Sequence, residues 1–168
     1  MTYLLDTNVI SELRKRERGH PGVVRWAASV DPGELHTSVL VIGEIRRGIE
    51  LKRRSDPARA TSLDGWLDRI RAGLGSRIIP VDERIAELWG KLGVPVMLPT
   101  IDGLIAATAM VHGLTVVTRN FGDMSRTGAS LLNPFAATTR ASIMKRHRHT
   151  RRTTTSQRTG FPADRVSR

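Results

Sequence analysis

A chain of 168 residues suits a single domain built on one hydrophobic core. It contains no cysteine, which excludes disulfides, zinc–thiolate sites and thiol nucleophiles and fits a reducing compartment. The formal net charge of +11 is unevenly held: residues 136–168 carry nine Lys or Arg against the single acid Asp164, whereas the first 135 residues hold 18 basic and 15 acidic side chains. This imbalance divides the chain into an expected domain, 1–135, and a polar tail, 136–168, that is too poor in large apolar residues to form a core and is expected to be disordered. Such a tail has the charge to attract nucleic acid through phosphate contacts, or merely to solubilise the chain. The sequence does not open with the basic region and apolar stretch of a signal peptide, and no apolar run approaches the roughly 20 residues of a membrane helix. A cytoplasmic, membrane-free protein is the expectation.

In chain order, residues 2–6 read as a strand and "TNVISELRKRE" as the start of a helix, broken by Gly19, His20 and Pro21. "PGVVRWAASV" reads as a second helix ended by the Asp31-Pro32-Gly33 turn, and "ELHTS" as a short strand. "VLVIGEIRRGIELKRR" places Val41, Ile42, Ile45 and Ile49 at helical spacing. Residues 57–73 form another amphipathic pattern, with Leu63, Trp66, Leu67 and Ile70 on one stripe. "RIIPV" follows as a strand, and "DERIAELWGKLG" as a helix with Asp82 and Glu83 at its start. "TIDGLIAATAMVHG" is almost entirely small or apolar, which predicts an internal helix capped by Thr100 and stopped at Gly113. "LTVVT" and "SLLNP" complete the strands.

Strands alternating with helices imply right-handed crossovers and a mainly parallel sheet covered on both faces. In such sheets the functional crevice lies beyond the carboxyl ends of the strands, and Asp6 falls there. A carboxylate at the end of an apolar run must lose much of its hydration unless the fold supplies a cation, water or hydrogen-bond donors. Glu44, Asp82, Glu83, Asp102 and Asp123 also lie at or just beyond the same expected rim. Clustered carboxylates repel one another unless cations neutralise them, and hard divalent ions suit oxygen ligands. Each acid also has a structural reading: helix capping or first-turn placement for Asp82, Glu83 and Asp102, pairing with Arg47 for Glu44, and a turn for Asp123. The five histidines form no evident acid–base pair.

Taken in order, "YLLDTNVISEL", "LHTSVLVIGEIRRGIE", "LPTIDGLIAATAMVHGLTVVTRNFGDM" and "GASLLNPF" resemble a PIN-domain ribonuclease of the VapC type, the toxin half of a toxin–antitoxin pair, across about residues 1–135. The resemblance implies a three-layer α/β/α fold whose acids bind Mg²⁺ or Mn²⁺ and which hydrolyses phosphodiester bonds in single-stranded or structured RNA. Carried over by motif, those acids are Asp6 of "DTN", Glu44 of "GEIRRG", Asp102 of "IDGLIAATA" and Asp123 of "TRNFGD". Asp82 and Glu83 match no catalytic position and return to helix capping. Many relatives place an acid where this chain has Asn120, so either Asp123 or Asn120 completes the set. Asn8, Ser38 and Asn120 are candidate donors orienting the carboxylates, with helix capping the alternative for Asn8 and Ser38. Arg46, Arg47 and Arg119, in motif segments near the rim, are candidates for holding RNA phosphates.

The resemblance also implies a cognate VapB-type antitoxin, a homodimer and a toxin–antitoxin hetero-oligomer. The 57–73 stripe and the Trp89 helix are candidate dimer faces. The competing function is a catalytically inactive PIN-fold module that binds RNA without cutting it. The concentration of acids where phosphate must approach argues against that reading, and the basic tail argues for it.

Overall fold

In the computed structural model, residues 1–92, 94 and 98–136 are described. The expected disorder of the tail therefore lies outside the described residues beyond Ala136. Five short strands form one parallel sheet in the order β3-β2-β1-β4-β5, comprising β1 (Tyr3–Leu5), β2 (Leu35–Ser38), β3 (Ile78–Ile79), β4 (Thr115–Val117) and β5 (Ser130–Leu132). The connecting helices are α1 (Thr7–Leu13), α2 (Pro21–Ala28), α3 (Val39–Arg53), α4 (Pro57–Leu74), α5 (Glu83–Leu92), α6 (Thr100–His112) and α7 (Phe121–Met124). The expected parallel α/β architecture is observed.

β1 takes the centre of the sheet, where an apolar strand is most fully covered: Leu4 is fully buried and Leu5 nearly so. Strands buried on both faces read as continuous apolar runs, as "YLL" and "TVV" do. The strand order runs from β1 to β3 on one side, then restarts with β4 on the other. A parallel sheet opens a crevice at such a reversal, outside the carboxyl ends of the two diverging strands. Here it lies between the ends of β1 and β4.

The helices follow their sequence signals with local differences. Asp6 caps α1 by accepting from the Thr7 amide, and Ser38 caps α3 by accepting from the Leu40 amide. Asp82 accepts from the Ile85 amide at 3.0 Å at the start of α5. Thr100 is not a cap: α6 begins at Thr100 itself, Pro99 occupies the capping position, and no side chain caps the helix. Gly113 does terminate α6, in the left-handed conformation at φ 65° that glycine tolerates best. From Gly103 to Ala109 this helix is buried except at Leu104, as its small residues predict. The α4 stripe turns into the core, with Leu67 fully buried and Leu63, Trp66 and Ile70 packed around it. The short α7 carries no sequence periodicity.

Gly22, in the first turn of α2, packs against the end of the domain. A Cβ there would lie 2.1 Å from the carbonyl oxygen of Pro134. Gly→Ala inside a helix ordinarily stabilises by roughly 1 kcal/mol, but here the clash is with backbone and reverses the sign. Gly22→Ala is expected to destabilise the fold by about 1–3 kcal/mol, measured as a lower midpoint in urea unfolding.

Candidate active site

Register brings the first residues of the site together. Leu5 pairs with Val117 on one side and Thr37 on the other, so Asp6 emerges between Thr118 and Ser38. Its amide donates to the Val117 carbonyl at 3.1 Å, which carries the pairing one residue beyond the strand. Although the Asp6 side chain is buried, it has three donors. The Thr7 amide reaches Oδ1 at 2.6 Å, while Asn8 Nδ2 and the Thr118 hydroxyl both reach Oδ2 at 2.5 Å. Asn8 Oδ1 in turn accepts from the Arg119 amide at 3.0 Å, and Thr118 Oγ1 accepts from the Asn120 amide at 2.9 Å. Asn8 therefore braces the carboxylate against the turn after β4.

The other acids arrive from helices. Glu44 lies on α3 beside the buried Ile42–Ile45 side, and its Oε2 accepts from the Thr7 hydroxyl. Asp102 sits in the first turn of α6, where Asn120 Nδ2 donates to its Oδ2 at 2.6 Å. Asp123 sits in α7. Burial chiefly raises the Asp102 pKa above the ordinary carboxylate range, the charges of Asp6, Glu44 and Asp123 raise it further, and the Asn120 hydrogen bond opposes them. The four acids expected from the sequence thus gather at the β1–β4 crevice.

Among the described residues, no three of these side chains stand close enough to ligate one ion. Each of Asp6, Glu44 and Asp102 is instead turned onto a protein donor. The donor set nevertheless fits a hard divalent cation: all four groups are carboxylates, and the charges of Asp6, Glu44 and Asp123 add to burial in disfavouring the ionised form of Asp102.

The remaining candidates separate. Ser38 caps α3, one residue beyond the β2 pairing with β1. Arg119 is at the rim, between Thr118 and Asn120. Arg46 is engaged elsewhere, by Asp64 at 2.5 Å and Glu50 at 3.4 Å. With Arg53, which reaches Asp64 at 2.8 Å, it ties α3 to α4, and the two guanidinium groups hold the Asp64 carboxyl below its usual range. Arg47 lies on α3, outside these ion pairs. Sequence reasoning does not single out Thr7 or Thr118, whose hydroxyls bond two of the carboxylates. Parallel register placing the end of "LTVVT" beside the end of "YLLD" is the signal that identifies Thr118.

A family model described as the PIN domain matches residues 3–129. The chain belongs to the PIN-domain family. Toxin FitB of Neisseria gonorrhoeae is 32% identical to this PIN domain over 138 residues, spanning 79% of the chain and 97% of the relative. Ribonuclease VapC14 of Mycobacterium tuberculosis is 46% identical over 68 residues, spanning 40% of the chain and 65% of that protein. Among solved structures, FitAcB from Neisseria gonorrhoeae superposes with a TM-score of 0.74 at 31% identity, covering 81% of this chain and all of the matched one. In this PIN domain the cleft lies where the fold's strand order reverses, and no helix among the described residues is long and apolar enough to cross a membrane.

Proposed function

We propose that this PIN domain is a divalent-metal-dependent ribonuclease acting as the toxin of a toxin–antitoxin pair. The observation that carries this reading is the placement of Asp6, Glu44, Asp102 and Asp123 at one crevice, where the charges of the other three add to burial in disfavouring the ionised form of Asp102, a repulsion that a cation would offset. The names of the relatives, a ribonuclease and a toxin, support it. Asp6, Glu44, Asp102 and Asp123 would hold Mg²⁺ or Mn²⁺, with Asn120 beside them as an alternative oxygen donor. A divalent ion there would supply Lewis-acid stabilisation of phosphate charge and lower the pKa of a water nucleophile.

The protein's own residues do the positioning. Thr118 and Asn8 fix one oxygen of Asp6, Thr7 fixes Glu44, and Asn120 restrains Asp102. Such donors set the direction and basicity of metal-holding carboxylates. Arg119 and Arg47 are the candidate phosphate contacts of the three arginines, because Arg46 is already paired with Asp64. A VapB-type antitoxin would answer the acidic cleft with a basic side chain, and the cell compartment consistent with RNA as substrate is the cytoplasm. The half-exposed Trp89 on α5, packed against Gly103, is the candidate homodimer contact, since the 57–73 stripe is spent on the core.

The test is cleavage of a labelled structured RNA with Mg²⁺ or Mn²⁺ and with EDTA, mapping the product ends. Metal-dependent cutting that leaves 5′-phosphate and 3′-hydroxyl ends is expected, with EDTA abolishing it. Cutting that survives EDTA, or 2′,3′-cyclic phosphate ends, would overturn the proposal; RNA bound under every metal but never cut would establish the inactive binding module.

A further inference from the structure

The C-terminal half of α1 and the turn after β4 meet at a charged cluster that the carboxylate cleft does not use. Glu12 is only 12% exposed at its side chain, yet two cations fall on one of its oxygens: Lys15 Nζ lies 2.7 Å from Oε1 and Arg119 Nη2 lies 3.7 Å from the same atom. Its other oxygen accepts from the His20 amide at 3.0 Å, which anchors the carboxylate to the loop before α2. Lys15, His20 and Arg119 together keep Glu12 ionised, the Lys15 hydrogen bond foremost.

One carboxylate neutralises one of the two cations, so the cluster retains a positive charge. Lys15 and Arg119 are 45% and 57% exposed at their side chains, and Arg16 and Arg18, which follow Lys15 in the chain, are exposed as well. The Arg119 guanidinium makes no hydrogen bond among the described residues, leaving its fork of N–H donors available. It is nonetheless held in place: it lies over the Phe135 ring at 4.1 Å, and that ring also packs on His20. Arg119 is flanked by Thr118, which bonds Asp6, and Asn120, which bonds Asp102. A pre-positioned, incompletely neutralised guanidinium beside an ammonium suits the oxygens of a phosphodiester.

We propose that Lys15 and Arg119, gathered on Glu12 Oε1, form a phosphate-binding subsite that holds the RNA strand one step outside the carboxylate cleft. The inference rests on the ribonuclease reading for its ligand. Glu12 is a positioning residue here. An acid beside an RNA path would by charge alone repel the strand, so its removal distinguishes positioning from bulk electrostatics.

The experiment measures binding of a fluorescein-labelled single-stranded RNA to the full chain by anisotropy, in EDTA, from 50 to 200 mM KCl. Lys15→Gln and Arg119→Gln are each expected to weaken binding severalfold and to flatten the plot of log affinity against log salt by about 0.7, the value for one phosphate on a single strand. Arg71→Gln, in the last turn of α4 and paired with Asp68 outside the Glu12 cluster, removes the same charge and is expected to leave the slope unchanged. Glu12→Gln keeps an acceptor for the His20 amide and raises the net charge by one, yet is expected to weaken binding. If Lys15→Gln and Arg119→Gln behave like Arg71→Gln, or Glu12→Gln binds more tightly than the parent, the subsite is overturned. A parent protein that binds with these slopes but never cuts RNA under Mg²⁺ or Mn²⁺ sinks the ribonuclease reading and leaves the subsite standing.

Discussion

Asp6→Asn is expected to lower RNA cleavage about a thousandfold, equivalent to about 4 kcal/mol of transition-state stabilisation, and to lower stability as well. The carboxylate both holds the proposed metal and completes the crevice. Its Oδ1 can be replaced by an amide oxygen, which keeps the Thr7 amide satisfied. Its Oδ2 faces two donors, Asn8 Nδ2 and the Thr118 hydroxyl, and an amide NH₂ there meets donor with donor. The Thr118 oxygen already accepts from Asn8 Nδ2 and from the Asn120 amide, and the Asn8 amide can turn only by releasing the Arg119 amide. A buried donor left without a partner costs about 1–3 kcal/mol. Single-turnover cleavage with saturating metal measures the first effect and thermal unfolding in EDTA the second. Cleavage within tenfold of the parent would remove Asp6 from the reaction.

Asp102→Asn is expected to abolish cleavage to a similar degree while moving stability the other way. Asp102 bears the repulsion of the cleft, since burial and the charges of Asp6, Glu44 and Asp123 all disfavour its ionised form. An asparagine removes that charge and retains an oxygen for Asn120 Nδ2. In EDTA the variant should melt above the parent, by about 2–4 °C for each ~1 kcal/mol relieved in a chain of this size. Saturating Mg²⁺ should reverse the order. The parent gains about 2.7 kcal/mol at a metal concentration 100 times its dissociation constant, and the variant gains little. A variant that melts below the parent in EDTA would show that the four carboxylates do not strain one another.

These opposite signs explain what sequence could and could not reveal about the site. Asp6 stands out because a carboxylate is costly at the end of an apolar run. The rule that parallel sheets work at their carboxyl ends places Glu44, Asp102 and Asp123 on the same rim. Choosing them over Asp82 and Glu83 takes motif resemblance, because capping and metal binding draw on the same residue types at the same helix ends. Hydroxyl partners are not legible: Thr118 lies 112 residues from Asp6 in sequence, and only register brings them together. Arg46 misleads for a related reason. Its partner Asp64 lies on the next helix, and whether an arginine is already paired depends on how two helices pack. The elements themselves are legible through apolar periodicity and turn residues, from Tyr3–Leu5 to Ser130–Leu132, while α7 is a single turn with too few residues to show a period.

The central position of β1 has a consequence for synthesis on the ribosome. Tyr3–Leu5 emerges before every other strand of the sheet, yet its partner on the β4 side, Thr115–Val117, is made more than a hundred residues later. At about 5–20 residues per second, roughly 6–22 seconds separate the two. Throughout that interval Asp6 lacks Thr118, and through most of it Asp102 as well, and a nascent chain of any shorter length has an open sheet in place of a carboxylate rim. Termination, stalling or frameshifting before β4 therefore yields no cleft at all, so the topology confines any cutting activity to chains whose translation has passed β4 and α7.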